Sequence, residues 1–189
     1  MLIRRFTMPW LQAMIVTALS SSPLAAQPEM PGAQRFEDDT LVMLVQTRTP
    51  DQLTAFYTGR GFNADAIAAI TQRCFVFGFL ENKTYEALWL VLDDWQFRTA
   101  DGKPIERIHR SDWQPVWQQT GLKQAHQSTF GWTQLPESRD LRPHEHAGGH
   151  AVIPWQDRPF TLTVTLHTGL DRRGTPRILT FSNLRCEKS

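Results

Sequence analysis

The chain has 189 residues and lacks several features that would assign it to a functional class of protein. It has no apolar run as long as the roughly 20 residues that a membrane-spanning helix needs. It has no charge excess either, because 20 Lys and Arg residues stand against 19 Asp and Glu residues, a net charge of +1. A near-neutral balance argues against a nucleic-acid partner and against electrostatic capture by anionic lipid. We therefore expect neither a nucleic-acid partner nor a membrane span in the mature protein.

Complete catalytic motifs are also missing. The sequence contains no Gly-x-Ser-x-Gly nucleophile elbow and no glycine-rich phosphate loop. No catalytic residue is predicted, and a non-enzymatic protein is favoured. A hydrolase whose site has no recognisable motif stays an alternative.

The first 26 residues have the three parts of a secretory signal peptide. Arg4 and Arg5 form a basic start, residues 8–19 form a short apolar core, and Ala25 and Ala26 are small residues suited to cleavage. The alternatives are an uncleaved anchor or an amphipathic helix, but the apolar core is short for a membrane anchor. Cleavage after Ala26 would leave 18 basic and 19 acidic residues, a net charge of −1. This pattern predicts a periplasmic or secreted protein.

Only two cysteines occur, Cys74 and Cys186. Two thiols in an exported chain are most simply interpreted as one disulfide. A redox-active pair would be expected at the spacing Cys-x-x-Cys, which this pair lacks.

The remaining chain is predicted to form one domain over residues 40–189, after a flexible lead-in at 27–39 that is rich in Pro and polar residues. Two short helices near its start are indicated by a capping box at Thr49–Gln52 and by a cap at Asn63. A third helix is expected over 111–121. Alternating or aromatic-rich segments predict strands at 41–45, 74–80, 87–92, 128–135, 160–167 and 178–184.

Strands and turns at short intervals predict a mainly β fold, an antiparallel β-sandwich with a short helical pair near the N-terminus. Cys74 and Cys186, with Trp89 on the strand after Cys74, resemble the immunoglobulin-like arrangement. That resemblance implies a disulfide that joins two sheets beside a buried tryptophan. It implies no function, because sandwiches serve many functions.

Three histidines lie within seven residues, His144, His146 and His150, and Gly148-Gly149 separates the last two. In an extended segment His144 and His146 would point the same way, and a glycine turn could bring His150 to the same point. Neutral imidazoles suit copper or zinc, and His167 or His126 could add a fourth ligand. The plainer interpretation, a solvated loop between strands, is favoured because short histidine motifs often arise by chance.

Together these features predict an exported, non-enzymatic domain that binds or scaffolds a protein or glycan partner. The alternative is an extracytoplasmic copper- or zinc-binding protein. Trp113, Trp117, Trp132 and Trp155 would form a partner or glycan surface if exposed, although packing in the core is the better expectation for most of them.

Overall fold

A computed structural model describes residues 32–187. These residues form two antiparallel sheets packed face to face, so the predicted antiparallel β-sandwich is confirmed. The predicted signal peptide, residues 1–26, lies outside the described residues.

The first sheet has four strands in the order β1-β2-β3-β8. Their bounds are β1 Gln34–Glu37, β2 Leu41–Thr47, β3 Arg73–Asn82 and β8 His146–Pro154. Residues 34–37 were expected in a flexible lead-in, but they pair with β2 because Phe36 packs against the core between the sheets.

The second sheet is built around β9, Phe160–Thr168. One edge of β9 pairs with β10. Along its other edge β9 pairs first with β5 and then with β4, and a 3₁₀ turn at Leu92–Asp94 separates these two strands. Short outer strands β6 and β7 pair with β5 and β4. The bounds are β4 Leu88–Val91, β5 Gln96–Thr99, β6 Pro104–Ile105, β7 Ser138–Leu141 and β10 Arg177–Leu184.

Strand side chains alternate between a face buried between the sheets and an outer face. On β3, Cys74, Val76 and Leu80 point into the core between the sheets. Phe77 and Phe79 are on the outer face and are half-buried. The strictly alternating segment 160–167 behaves as predicted, with Phe160 and Leu162 buried.

Four helices cover one end of the first sheet on its outer face. They are α1 Pro50–Thr58, α2 Ala64–Thr71, α3 Gln114–Thr120 and α4 Gln124–Trp132. The capping box at Thr49 and Gln52 and the Asn63 cap form as predicted. A second buried cluster joins the helices to the sheet at Phe75 and Val152.

The helix expected over 111–121 is present as a 3₁₀ turn, Arg110–Trp113, followed by α3. The strand expected at 128–135 is wrong, because this segment belongs mostly to α4. Phe130 of α4 inserts between Trp113, Trp117 and Tyr57, and this packing favours the helix.

The predicted disulfide between Cys74 and Cys186 is confirmed. It ties β3 of the first sheet to the segment that follows β10 of the second. Because disulfides form and persist in oxidising compartments, it indicates a location outside the cytoplasm. None of the helices within residues 32–187 is both long and apolar enough to cross a membrane.

Trp89 does not pack in the core beside the disulfide. It lies half-buried on the outer face of the second sheet, where its Nε1 donates to Gly169 O at 2.8 Å and the Arg172 guanidinium stacks on its ring. The buried tryptophan between the sheets is Trp95. The tryptophan part of the immunoglobulin-like likeness is therefore not reproduced.

Candidate functional site

The three clustered histidines belong to a turn and a strand and do not form a loop. His144 lies in the turn before β8 with a φ of 64°, and its ring meets Tyr85 edge-on. His146 and His150 are both on β8, where they pair with Glu81 and Phe77 of β3. Since each strand residue advances about 3.3 Å, their Cα atoms lie about 13 Å apart.

The structure therefore does not bring these imidazoles to one point. His146 packs against Phe79, and His150 packs against Phe75 and Phe77. His126 is on α4 and stacks on Phe62, while His167 is on β9 and contacts Asp94 Oδ2 at 2.7 Å through Nε2. Metal binding by the predicted histidines stays a prediction, and in this geometry a three-histidine site would require β8 to rearrange.

Across residues 32–187, a single group of side chains has the spacing of a metal site: Asp93, His109 and Glu137. Arg107 already lies among them. Its NH2 is 2.8 Å from Asp93 Oδ1 and 3.1 Å from His109 Nδ1, and its NH1 donates to Glu137 Oε1 at 3.1 Å. Burial opposes the charge of Arg107, but hydrogen bonds and ion pairs with Glu137 and Asp93 raise its pKa. The guanidinium thus supplies the positive charge that a metal would bring.

Among the described residues, a mostly apolar groove of about 500 Å³ lies on the outer face of the first sheet, beside α1. We call it the α1 groove. Its lining residues are Arg48, Gln52, Leu53, Phe56, Phe77, Thr133, Gly148, Gly149 and His150. A second depression of about 600 Å³ lies between α2 and α3, but charged side chains such as Asp65, Arg73 and Asp112 line it. Ligand sites are mostly apolar and carry few polar groups, which favours the α1 groove.

The register of the first sheet builds the floor of the α1 groove. Gln46, Phe77 and His150 face one another across β2, β3 and β8, and Leu44, Phe79 and Gly148 form the next row. The helices pack on the sheet at Phe75 and Val152. Phe77 and Phe79 lie farther along β3 and keep part of their surface exposed. The floor is therefore aromatic and open at Gly148, which has no side chain.

His150 contributes a neutral ring to this floor. Burial lowers the pKa of the His150 imidazole to about 4, the hydrogen bond to Thr133 O opposes that shift, and the charge of Arg48 adds to it. Because a carbonyl oxygen only accepts, Nδ1 carries the proton that it donates to Thr133 O at 2.9 Å. At neutral pH the ring is therefore uncharged.

Arg48 provides the positive charge of the α1 groove. Its Cζ lies 4.5 Å from the centre of the Phe77 ring, and its NH1 donates to Gln46 Oε1 at 2.8 Å. Burial lowers the pKa of Arg48, but a guanidinium stays charged at neutral pH. The groove therefore combines an aromatic floor with one half-buried cation at its side.

Gly149 is required by a close approach of the chain. A Cβ atom there would lie 2.6 Å from Leu135 N and 2.7 Å from Gln134 C, both backbone atoms. At Gly148 the nearest atom, Phe79 Cδ2, would be 3.5 Å away, which is ordinary contact. We expect Gly149→Ala to lower the free energy of unfolding by about 2 kcal/mol, because the backbone at 134–135 must move.

Urea unfolding of Gly149→Ala beside Gly148→Ala tests this expectation. The Gly148 variant should stay within about 0.5 kcal/mol of the wild type, since its methyl group would make only ordinary van der Waals contacts. Equal stability of the two variants would show that the 134–135 segment moves aside at no cost.

The α1 groove was missed in the sequence because its residues come from four separate parts of the chain, 48–56, 77, 133 and 148–150. Its only runs of adjacent residues are Gln52 with Leu53, and Gly148 with Gly149 and His150. Of the four tryptophans considered for a partner surface, Trp113 and Trp117 are buried and Trp155 packs partly against the core. Trp132 is 89% exposed at the end of α4, next to the groove residue Thr133.

Comparison with known proteins identifies no family. No family model matches the chain, and no curated protein matches it significantly. Two solved structures from Bacillus subtilis are similar at 9% identity. The yjhA protein has a TM-score of 0.40, with 69% of this chain and 76% of that chain covered. The ycdA protein has a TM-score of 0.41, with 82% of this chain covered but only 39% of that chain. At these scores the likeness indicates no function.

Proposed function

We propose that this protein is an exported, non-enzymatic binding domain and that the α1 groove is its binding site. The observation that carries the proposal is the pair of half-exposed aromatic rings in the groove, Phe56 and Phe77, beside the position without a side chain at Gly148. Apolar surface of this kind, in a concavity with a few polar groups, is typical of ligand sites.

A binding role is favoured over catalysis because the Thr133 hydroxyl and the Nδ1 of His150 already have structural hydrogen bonds. The Thr133 hydroxyl donates to Phe130 O and lies 2.9 Å from the Tyr57 hydroxyl, and His150 Nδ1 donates to the main chain. Among the described residues that line the groove, no hydroxyl or thiol nucleophile is hydrogen-bonded to a base. Such a pair is the usual mark of nucleophilic catalysis.

The disulfide supports the location that the proposal assumes. A bond between Cys74 and Cys186 persists in the periplasm or outside the cell but is rarely kept in the cytoplasm. The signal-like residues 1–26 point to the same location.

The test uses a neutral apolar probe, 2-(2-naphthyl)ethanol, titrated into the purified protein and followed by amide NMR shifts. We expect the largest shifts at Phe77, Gly148 and His150. Gly148→Leu should weaken binding about tenfold or more, because the leucine side chain would fill the space over the groove floor.

Thr165→Leu is the matched control, since Thr165 is on the outer face of the other sheet. It adds the same side chain outside the groove and should bind the probe as the wild type does. No binding by the wild type, or shifts confined to another surface, would overturn the proposed function.

A further inference from the structure

We infer that the α1 groove takes a small organic acid, with its apolar body against Phe77 and Phe56 and its carboxylate on Arg48. The inference rests on the proposed function and adds the chemical class of the ligand. Arg48 is the basis of this inference, because its guanidinium lines an apolar groove and has no anionic partner among residues 32–187.

The environment of Arg48 differs from that of Arg107 and Arg177, two other arginines that are partly buried. Arg107 meets Asp93 and Glu137, and Arg177 meets Asp38. By contrast, no carboxylate oxygen within residues 32–187 lies within 4.0 Å of an Arg48 nitrogen. A charge removed from water needs compensation by a partner, and Gln46 Oε1 supplies only a neutral one.

The other groups around the groove leave the positive charge of Arg48 uncompensated, and Arg60 adds a second one. None of its described lining residues is acidic, and the burial of His150 keeps that ring neutral. A second guanidinium, that of Arg60, stacks on Phe56 with its Cζ 3.3 Å from the ring centre. An arginine therefore stacks on each of the two phenylalanines that line the groove, Phe56 and Phe77. These two positive charges would repel a cationic ligand.

A carboxylate matches the free edge of Arg48 in geometry as well as in charge. The planar guanidinium presents parallel N–H groups that pair with both oxygens of a carboxylate, and such charge-assisted bonds are stronger than neutral ones. The groove volume, about 500 Å³, is in the range of small-molecule sites. An acid with one aromatic or branched aliphatic body therefore fits both the floor and the charge.

The experiment compares three probes that share one apolar body: 2-naphthylacetate, 2-(2-naphthyl)ethanol and 2-(2-naphthyl)ethylamine. Isothermal titration calorimetry of the wild-type protein should show the acid binding about tenfold or more tighter than the alcohol, and the amine weaker than the alcohol. Raising the salt concentration should weaken the acid alone, because only its binding includes an ion pair.

Arg48→Gln should reduce the affinity for the acid about tenfold and change that for the alcohol less than threefold. The control is Arg98→Gln, which removes an exposed arginine from β5 of the other sheet and should change neither affinity. Retained alcohol binding shows that the Arg48 variant is folded. Should it fail to fold, the comparison of probes on the wild type decides alone.

The outcomes separate the two proposals. Equal binding of acid and alcohol in the groove would overturn this inference and leave the proposed function standing. Absence of binding by all three probes would overturn both. If the peptide acid acetyl-Gly-Gly-Phe bound more tightly than 2-naphthylacetate, the inference of a small organic acid would be overturned, and a peptide C-terminus would be the ligand instead.

Discussion

Removal of the Cys74–Cys186 disulfide is expected to lower the free energy of unfolding by about 4–5 kcal/mol. The two cysteines are 112 residues apart, and a cross-link over a loop of about 100 residues contributes about 4.7 kcal/mol by restricting the unfolded chain. Native proteins typically have a free energy of unfolding of only about 5–15 kcal/mol, so removal of the disulfide would take away a large part of the stability.

Urea unfolding of the Cys74→Ala/Cys186→Ala variant measures this effect. The slope of free energy against urea should rise as well, because the uncrosslinked unfolded chain exposes more surface. A reducing agent should destabilise the wild type to a similar extent and leave the double variant unchanged. A loss below about 1 kcal/mol would mean that the unfolded chain stays compact without the cross-link.

Local signals in the sequence predicted much of the fold. Thr49 and Gln52 form a capping box whichever residues lie farther away, because both partners are within one turn of the chain. The strand at 160–167 was similarly clear, since its alternation reflects one buried and one outer face. Two cysteines in an exported chain allowed a single pairing.

Predictions that depended on distant contacts were less successful. Residues 128–135 contain Thr, Phe and Trp, which favour strands. Their helix is stabilised by the packing of Phe130 against Trp113 and Trp117, residues of the 3₁₀ turn and α3. Local propensity does not report such contacts.

The pair Gly148-Gly149 shows the same limit at the candidate site. Two adjacent glycines suggested a turn, because glycine readily adopts a positive φ. Neither has a positive φ in the structure, and both lie within β8. Gly149 makes room for the backbone at 134–135, and Gly148 leaves the groove floor open. Which segment approaches a glycine is decided by the tertiary fold.

Asn82 is the second position at which we expect a large effect, with Asn82→Ala lowering the free energy of unfolding by about 3 kcal/mol. Its side chain is fully buried at the end of β3. Its Nδ2 donates to Glu86 O at 2.7 Å, to Leu141 O at 2.9 Å and to Arg142 O at 3.2 Å. Its Oδ1 accepts from the backbone and the hydroxyl of Thr84.

Loss of the side-chain amide would leave the main-chain groups that it now pairs with without hydrogen-bond partners. Each buried group left unpaired lowers the free energy of unfolding by about 1–3 kcal/mol. Because Asn82 links the end of β3 to the end of β7, the same variant should loosen the join between the two sheets. Urea unfolding gives the free energy, and hydrogen exchange at Leu141 and His144 gives the local effect. Gln96→Ala removes an exposed amide from β5 and should cost less than about 0.5 kcal/mol. A comparably small loss for Asn82→Ala would mean that water enters and takes over the hydrogen bonds of the side chain.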